Sequence, residues 1–219
     1  MPARPNPDLH GSAPDKADVA LLLIDVINDL DFPEGDQLLR HALPMARKVA
    51  ALADRARREG VPVVYVNDNF GRWRSDLSAT VDHCLRDGVR GRPVVELLRP
   101  GPDDYAVLKP KHSGFFSTTL DTLLEYLGVR TLVITGVAAN ICVLFTANDA
   151  YMRDFKLAVP EDCVASNTDA ENRYALEQMR TVLKADTRPS DDLSFAELAR
   201  AAGGDPRPGG GEPQRPGPA

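Results

Sequence analysis

Long apolar runs are missing from this 219-residue chain: none reaches the roughly 20 residues a membrane-spanning helix needs. Basic character is missing as well. A net charge of -6 and a pI near 5.2 argue against nucleic acid or an anionic membrane surface as partner. Cysteine is scarce, with Cys84, Cys142 and Cys163 far apart and no CxxC, so neither a disulfide framework nor a zinc site is indicated. A reducing cytoplasm is the natural compartment. The polar, Pro-rich start lacks the apolar core of a secretory signal. No internal repeat occurs, and no G-x-G-x-x-G follows the first strand candidate, which disfavours a dinucleotide-binding protein. The four histidines form no motif: His10 lies in the N-terminal arm, His41 in a helical pattern, His83 beside Cys84, and His112 after Lys111.

What is present is an alternation. Val19 to Ile24, Val61 to Val66, Tyr105 to Leu108, Thr131 to Thr135 and Phe155 to Val159 are short apolar runs with strand character, and a weak last strand is predicted near Ala185 to Arg188. Between them, helical spacing is predicted over 36–58, with Pro44 placing a turn before the main helix, over 120–127 with Ser117 or Thr118 as cap, and over 170–183. Alternating strands and helices specify an α/β fold: a three-layer, open, mainly parallel, Rossmann-like sheet of about six strands with helices on both faces. We expect a flexible arm over 1–17, one domain over 18–190, a short extension over 191–202 and a disordered Gly/Pro-rich tail over 203–219. Residues 67–102 look irregular, and their length suggests a functional excursion.

In open sheets of this type ligands sit beyond the carboxyl ends of the strands. Three reactive side chains fall there: Asp25 after the first strand, Lys109 after the third, and Cys142 in the first turn of the helix after the fourth. A helix N-terminus favours thiolate over thiol, so Cys142 suits a nucleophile. It equally suits a small core residue. Asp25 also fits a loop cap, and Lys109 a solvated lysine. Together they form a self-consistent set: a base for the thiol proton, a cation to hold both charged forms, and a sulfur to attack.

Four stretches resemble one family, the isochorismatase-like cysteine hydrolases, which includes nicotinamidases, N-carbamoylsarcosine amidases and ureidoacrylate hydrolases. They are Leu22-Leu23-Ile24-Asp25-Val26-Ile27-Asn28-Asp29, Leu108-Lys109-Pro110-Lys111-His112-Ser113-Gly114-Phe115-Phe116, Thr135-Gly136-Val137-Ala138-Ala139-Asn140-Ile141-Cys142-Val143, and Thr146-Ala147-Asn148-Asp149-Ala150 with Pro160-Glu161-Asp162-Cys163. Each alone is a weak signal. Their order, across about 18–190, is specific.

The resemblance implies roles. Cys142 attacks a carbonyl and forms a thioester, Asp25 is general base and then acid, and Lys109 is the family lysine. A cis peptide is implied at Val137–Ala138, with the N–H groups of Ala138 and Cys142 as oxyanion hole. Candidate pocket residues are Asn28, Phe70, Trp73 and Phe115. Ile27 stands where the family often has Gln, and Asn67 to Trp73 lacks the histidines of metal-dependent nicotinamidases, so no metal and no cofactor are expected. The implied activity is hydrolysis of a C–N bond in a small amide or ureido compound. The rivals are a catalytically silent binding protein on the same fold and an isochorismatase-type ether hydrolase, a reaction that does without the cysteine. The partners implied are a small-molecule substrate and further copies of the chain, as dimer or tetramer.

Overall fold

Six apolar residues in succession, Val19–Ile24, form strand β1 with every side chain buried. Val19, Leu21 and Leu23 enter one hydrophobic core; Ala20, Leu22 and Ile24 enter another. Successive side chains of a strand point to opposite faces, so a strand with no polar alternation is covered on both. The structure, a computed structural model, describes residues 16–71, 76–86 and 88–202. The expected arm, apart from residues 16 and 17, and the expected tail lie outside the described residues.

The remaining strands are β2 (Val63–Asp68), β3 (Tyr105–Lys109), β4 (Thr131–Val137), β5 (Lys156–Ala158) and β6 (Val164–Ala165). All pair in parallel, in the order β3-β2-β1-β4-β5, and β6 sits beside the end of β4. The helices are α1 (Gly35–Arg58), α2 (Leu77–Arg86), α3 (Arg92–Leu97), α4 (Leu120–Leu127), α5 (Leu144–Tyr151), α6 (Asp169–Thr181) and α7 (Phe195–Ala202). Buried residues of α1, α2, α3 and α7 share one core, and those of α4, α5 and α6 the other. This is the three-layer parallel sheet that the alternation specifies. The order reverses between β1 and β4, the switch point where such sheets open a crevice.

Several local expectations change. Helix α1 runs through Pro44 without a break and starts at Gly35. The last strand shrinks to a single bridge, Ala158 with Asp186. The supposedly irregular excursion contains α2 and α3; Asp76 Oδ1 accepts from the Ala79 N–H at 2.7 Å and starts α2. Neither Ser117 nor Thr118 is the cap residue of α4, although the Thr118 hydroxyl accepts from the Leu120 N–H at 3.2 Å. The 191–202 extension joins the core through Leu193 and Phe195.

Strand β4 does not stop at Gly136 but continues to Val137. Gly136 has φ +116°, and a Cβ there would lie 2.1 Å from the Ile24 carbonyl oxygen. Only glycine lets β4 run against β1 at this level. The ends of the two strands, where Asp25 and the cysteine turn begin, are thereby brought together.

Candidate active site

Asp25 leaves β1 with φ +52°, an uncommon conformation for a residue with a side chain. Its N–H donates to the Val66 carbonyl at 3.0 Å, and its Oδ1 accepts from the Asp68 N–H at 2.6 Å. Both bonds come from β2, so the aspartate is aimed by the neighbouring strand. The residue is only 5% exposed.

Lys109 ends β3 and is fully buried. Its Nζ lies 2.8 Å from Asp25 Oδ2, 3.2 Å from the Lys111 carbonyl and 3.6 Å from Cys142 Sγ. Asp68 Oδ2 stands 3.6 Å away. An ammonium has three protons, and four acceptors surround them, Cys142 Sγ and Asp68 Oδ2 at the same distance. The structure therefore brings Asp25, Lys109 and Cys142 together around one nitrogen.

Cys142 does not sit in an ordinary first helical turn. Residues Ala139–Val143 form a π-turn, in which the Ala138 carbonyl accepts from the N–H groups of Ile141 at 3.0 Å and Val143 at 3.2 Å. Helix α5 follows. The Val137–Ala138 peptide is cis. The Thr146 hydroxyl donates to the Cys142 carbonyl at 2.7 Å and accepts from the Gly114 N–H at 3.0 Å, tying the cysteine turn to the lysine loop. Ser113 secures that loop, accepting from the Phe115 N–H at 3.1 Å and bonding Asp149.

Electrostatics set the resting protonation. Burial pushes the Asp25 carboxyl above the ordinary carboxylate range, against the opposing pull of Lys109. Burial alone would lower the Lys109 ammonium, but Asp25, Cys142 and Asp68 outweigh it and hold the proton more firmly than usual. The Cys142 thiol is pushed up to about 12, by burial first and the Asp25 charge second. The helix terminus does not win here: the resting sulfur is a thiol beside the Asp25 carboxyl. A group that can take its proton is already in place.

The other candidates divide. Asn28 lines a cavity of about 10 Å³ beside Asp25, shared with Leu30, Met45, Val94 and Val137 and roomy enough for about one water. Phe70 is 41% exposed on the loop after β2, its N–H donating to Asp68 Oδ1 at 2.6 Å. Phe115 does not wall the site. It is buried against Phe155 with ring centroids 5.9 Å apart, and the Arg153 guanidinium lies over its ring. An apolar ring two residues after a turn serine is drawn into the core beside Phe155, past the end of α5. Trp73 lies outside the described residues.

Sequence reasoning missed Asp68 and Asn67. Asp68 is a third charged residue at a strand end, the same signal that exposed Asp25 and Lys109. Asn67 is fully buried; its side chain accepts from the Ile27 N–H at 3.1 Å and donates to the Ile27 carbonyl at 2.9 Å. Ile27 itself turns into the core, and this clasp from β2 holds its backbone. The loop after Asp25 is also held from the excursion. The Gly91 N–H donates to the Asp29 carbonyl at 2.9 Å, and His83 Nε2 lies 3.2 Å from Asp29 Oδ2. A Cβ at Gly91 would fall 1.8 Å from the Asn28 carbonyl, so the approach requires glycine. Among the described residues, no three His, Cys, Asp or Glu side chains are grouped to hold a metal ion.

The isochorismatase domain family model matches residues 19–188. An uncharacterized isochorismatase family protein, YaaI of Bacillus subtilis, is 41% identical over 178 residues, covering 81% of this chain and 97% of that protein. The ureidoacrylate amidohydrolase RutB of Methylobacterium radiotolerans is 29% identical over 208 residues, covering 83% of this chain and 79% of its own. Among solved structures, N-carbamoylsarcosine amidase from Thermoplasma acidophilum superposes with a TM-score of 0.61 at 30% identity, over 80% of this chain and 98% of that one.

Proposed function

The chain belongs to the isochorismatase family, and from that premise we propose that it hydrolyses a C–N bond of a small carboxamide or ureido compound through a thioester on Cys142. The observation that carries this reading is the position of one buried ammonium. Lys109 Nζ lies 2.8 Å from Asp25 Oδ2 and 3.6 Å from Cys142 Sγ. In the proposed reaction the thiol proton passes to Asp25 as Sγ attacks the carbonyl carbon. The tetrahedral oxyanion faces the N–H groups of Ala138 and Cys142. Collapse breaks the C–N bond, and the leaving nitrogen takes the proton back from Asp25. Water then hydrolyses the thioester. Lys109 offsets negative charge on sulfur and carboxylate in turn, in a site where little water competes.

The similarity to an amidase and an amidohydrolase supports a C–N substrate. Cys142 supports acyl transfer over ether cleavage. Asn28 and Phe70 are the proposed pocket contacts among the described residues. We read the protein as a cytoplasmic homo-oligomer; the exposed Phe116, Phe145 and Ile141 near the cysteine turn support association, and a monomer in sedimentation would refute it. The test of function is ammonia release from a panel of small carboxamides and ureido acids. Wild type should turn over at least one, and Cys142→Ala none. Full activity in Cys142→Ala overturns the proposal.

A further inference from the structure

We propose that Asp68 is the standing counter-ion of Lys109, a positioning residue that competes with Cys142 for the ammonium in the resting enzyme and keeps that ammonium charged once the sulfur has bonded to carbon. This deepens the thioester reading above and rests on it for the identity of the nucleophile.

Asp68 ends β2 and Lys109 ends β3, and the two are direct partners across that parallel pair. Asp68 Oδ1 accepts from the Phe70 N–H at 2.6 Å, and Oδ2 lies 3.6 Å from Lys109 Nζ. Among the described residues, the carboxylates paired with this ammonium are Asp25 and Asp68. They are placed differently. Asp25 is buried beside the thiol, whereas the Asp68 side chain is 32% exposed and reaches the triad through Lys109.

Three ammonium protons meet four acceptors. Asp25 Oδ2 at 2.8 Å and the Lys111 carbonyl at 3.2 Å take two of them. Sγ and Asp68 Oδ2, both at 3.6 Å, compete for the third. A thiol sulfur is a weak acceptor and a carboxylate a strong one, so in the resting enzyme the third proton turns to Asp68. When the thiol proton passes to Asp25, the sulfur becomes the anion and the ammonium turns to it. When Sγ then bonds to the carbonyl carbon, its charge is gone while Asp25 still holds the proton. The negative charge lies on the oxyanion, facing the backbone N–H groups. At that stage Asp68 is the one carboxylate beside Nζ that carries charge. A buried ammonium with no paired anion sheds its proton, and Asp68 prevents that loss.

Iodoacetamide alkylates thiolate, so labelling of Cys142, read by intact-protein mass, reports how the ammonium is shared. Asp68→Asn removes the charge and keeps an oxygen for the Phe70 N–H. Asp68→Ala removes both, and Asp68→Glu keeps the charge. All three retain the backbone N–H that residue 68 donates to Asp25 at 2.6 Å. At pH 8 the Asn and Ala variants should label about tenfold faster than wild type, equivalent to about one pKa unit. The Glu variant should label at the wild-type rate. Wild-type labelling in Asp68→Asn, or fast labelling in Asp68→Glu, overturns the competition; a residue that merely anchored Phe70 would leave Asn like wild type. In the alkylated protein the sulfur is a neutral thioether. There the Lys109 Cε resonance, assigned with Lys109→Met, should titrate at lower pH in Asp68→Asn than in wild type. An unmoved titration overturns the counter-ion role. Labelling does not depend on turnover, so full amide hydrolysis by Cys142→Ala would overturn the thioester reading alone.

Discussion

Replacing Lys109 by Met tests whether the buried ammonium is the keystone of the site. The side chain is fully buried and lies 2.8 Å from Asp25. Methionine fills similar space but leaves Asp25 as a buried anion with one N–H donor, from Asp68 at 2.6 Å. Removing one partner of a buried pair costs about 3–5 kcal/mol. At roughly 2–4 °C per kcal/mol for a chain of this size, the melting temperature should fall by roughly 6–20 °C near pH 8. The loss should depend on pH, with a definite sign. Asp25 titrates above its ordinary range already because burial outweighs Lys109. Without the cation it titrates higher still. A carboxyl whose folded-state pKa is raised costs stability fully above that pKa, and the cost fades as pH falls through it and the native state takes up a proton. Acidification should therefore narrow the gap between Lys109→Met and wild type. The double variant Asp25→Asn/Lys109→Met removes both charges and should recover most of the stability but none of the activity. Calorimetry across pH reads all three proteins. A Lys109→Met protein within 1 °C of wild type at pH 8, or a gap that widens on acidification, refutes the reasoning.

Other perturbations separate charge from chemistry. In Asp25→Asn the anion that helps push the thiol up to about 12 is gone while Lys109 remains, so iodoacetamide should label Cys142 faster at pH 7 even as amide turnover disappears; slower labelling would contradict the electrostatic account. Cys84 and Cys163, both fully buried, should stay unlabelled in native protein. The wild-type rate should fall on acidification at a pH above the ordinary carboxylate range, because Asp25 must be ionised to take the thiol proton and its pKa is raised. Asn67→Ala unfastens both backbone groups of Ile27 and should cost about 1–3 kcal/mol, measured by denaturant melts, with turnover falling more than binding as the segment after Asp25 loosens.

How legible the molecule was depended on the range of the physics involved. Strand β1 was readable because six apolar residues in a row need cover on two faces. Asp25, Lys109 and Cys142 were readable because charged or reactive groups at the ends of such strands have no bland explanation together. Helix α2 was missed although Asp76 signals its start, because Arg and Gly around it masked a weak period. Asp68 and Asn67 were passed over as a polar loop. Their roles arise only once β2 lies beside β1, a pairing across a sequence separation of 40 that no local pattern shows. Phe115 was placed at the pocket on the strength of its neighbours in sequence, whereas Phe155 and Arg153 hold its ring in the core. The protonation of Cys142 was misjudged for a similar reason. A helix terminus is visible in sequence, but burial beside an anion is not.

The seam between β1 and β4 limits what selection can change. At Gly136 the separation of the two strands is set by backbone atoms alone, because a Cβ there would lie only 2.1 Å from the Ile24 carbonyl oxygen. No side chain at that point can be trimmed or enlarged to widen the gap between the aspartate and the cysteine turn. Variation around the site should therefore come from the loops at residues 28–31 and 69–71, while the spacing of Asp25 and the cysteine turn stays constant. Libraries aimed at new substrates should spare the seam and randomise its rim.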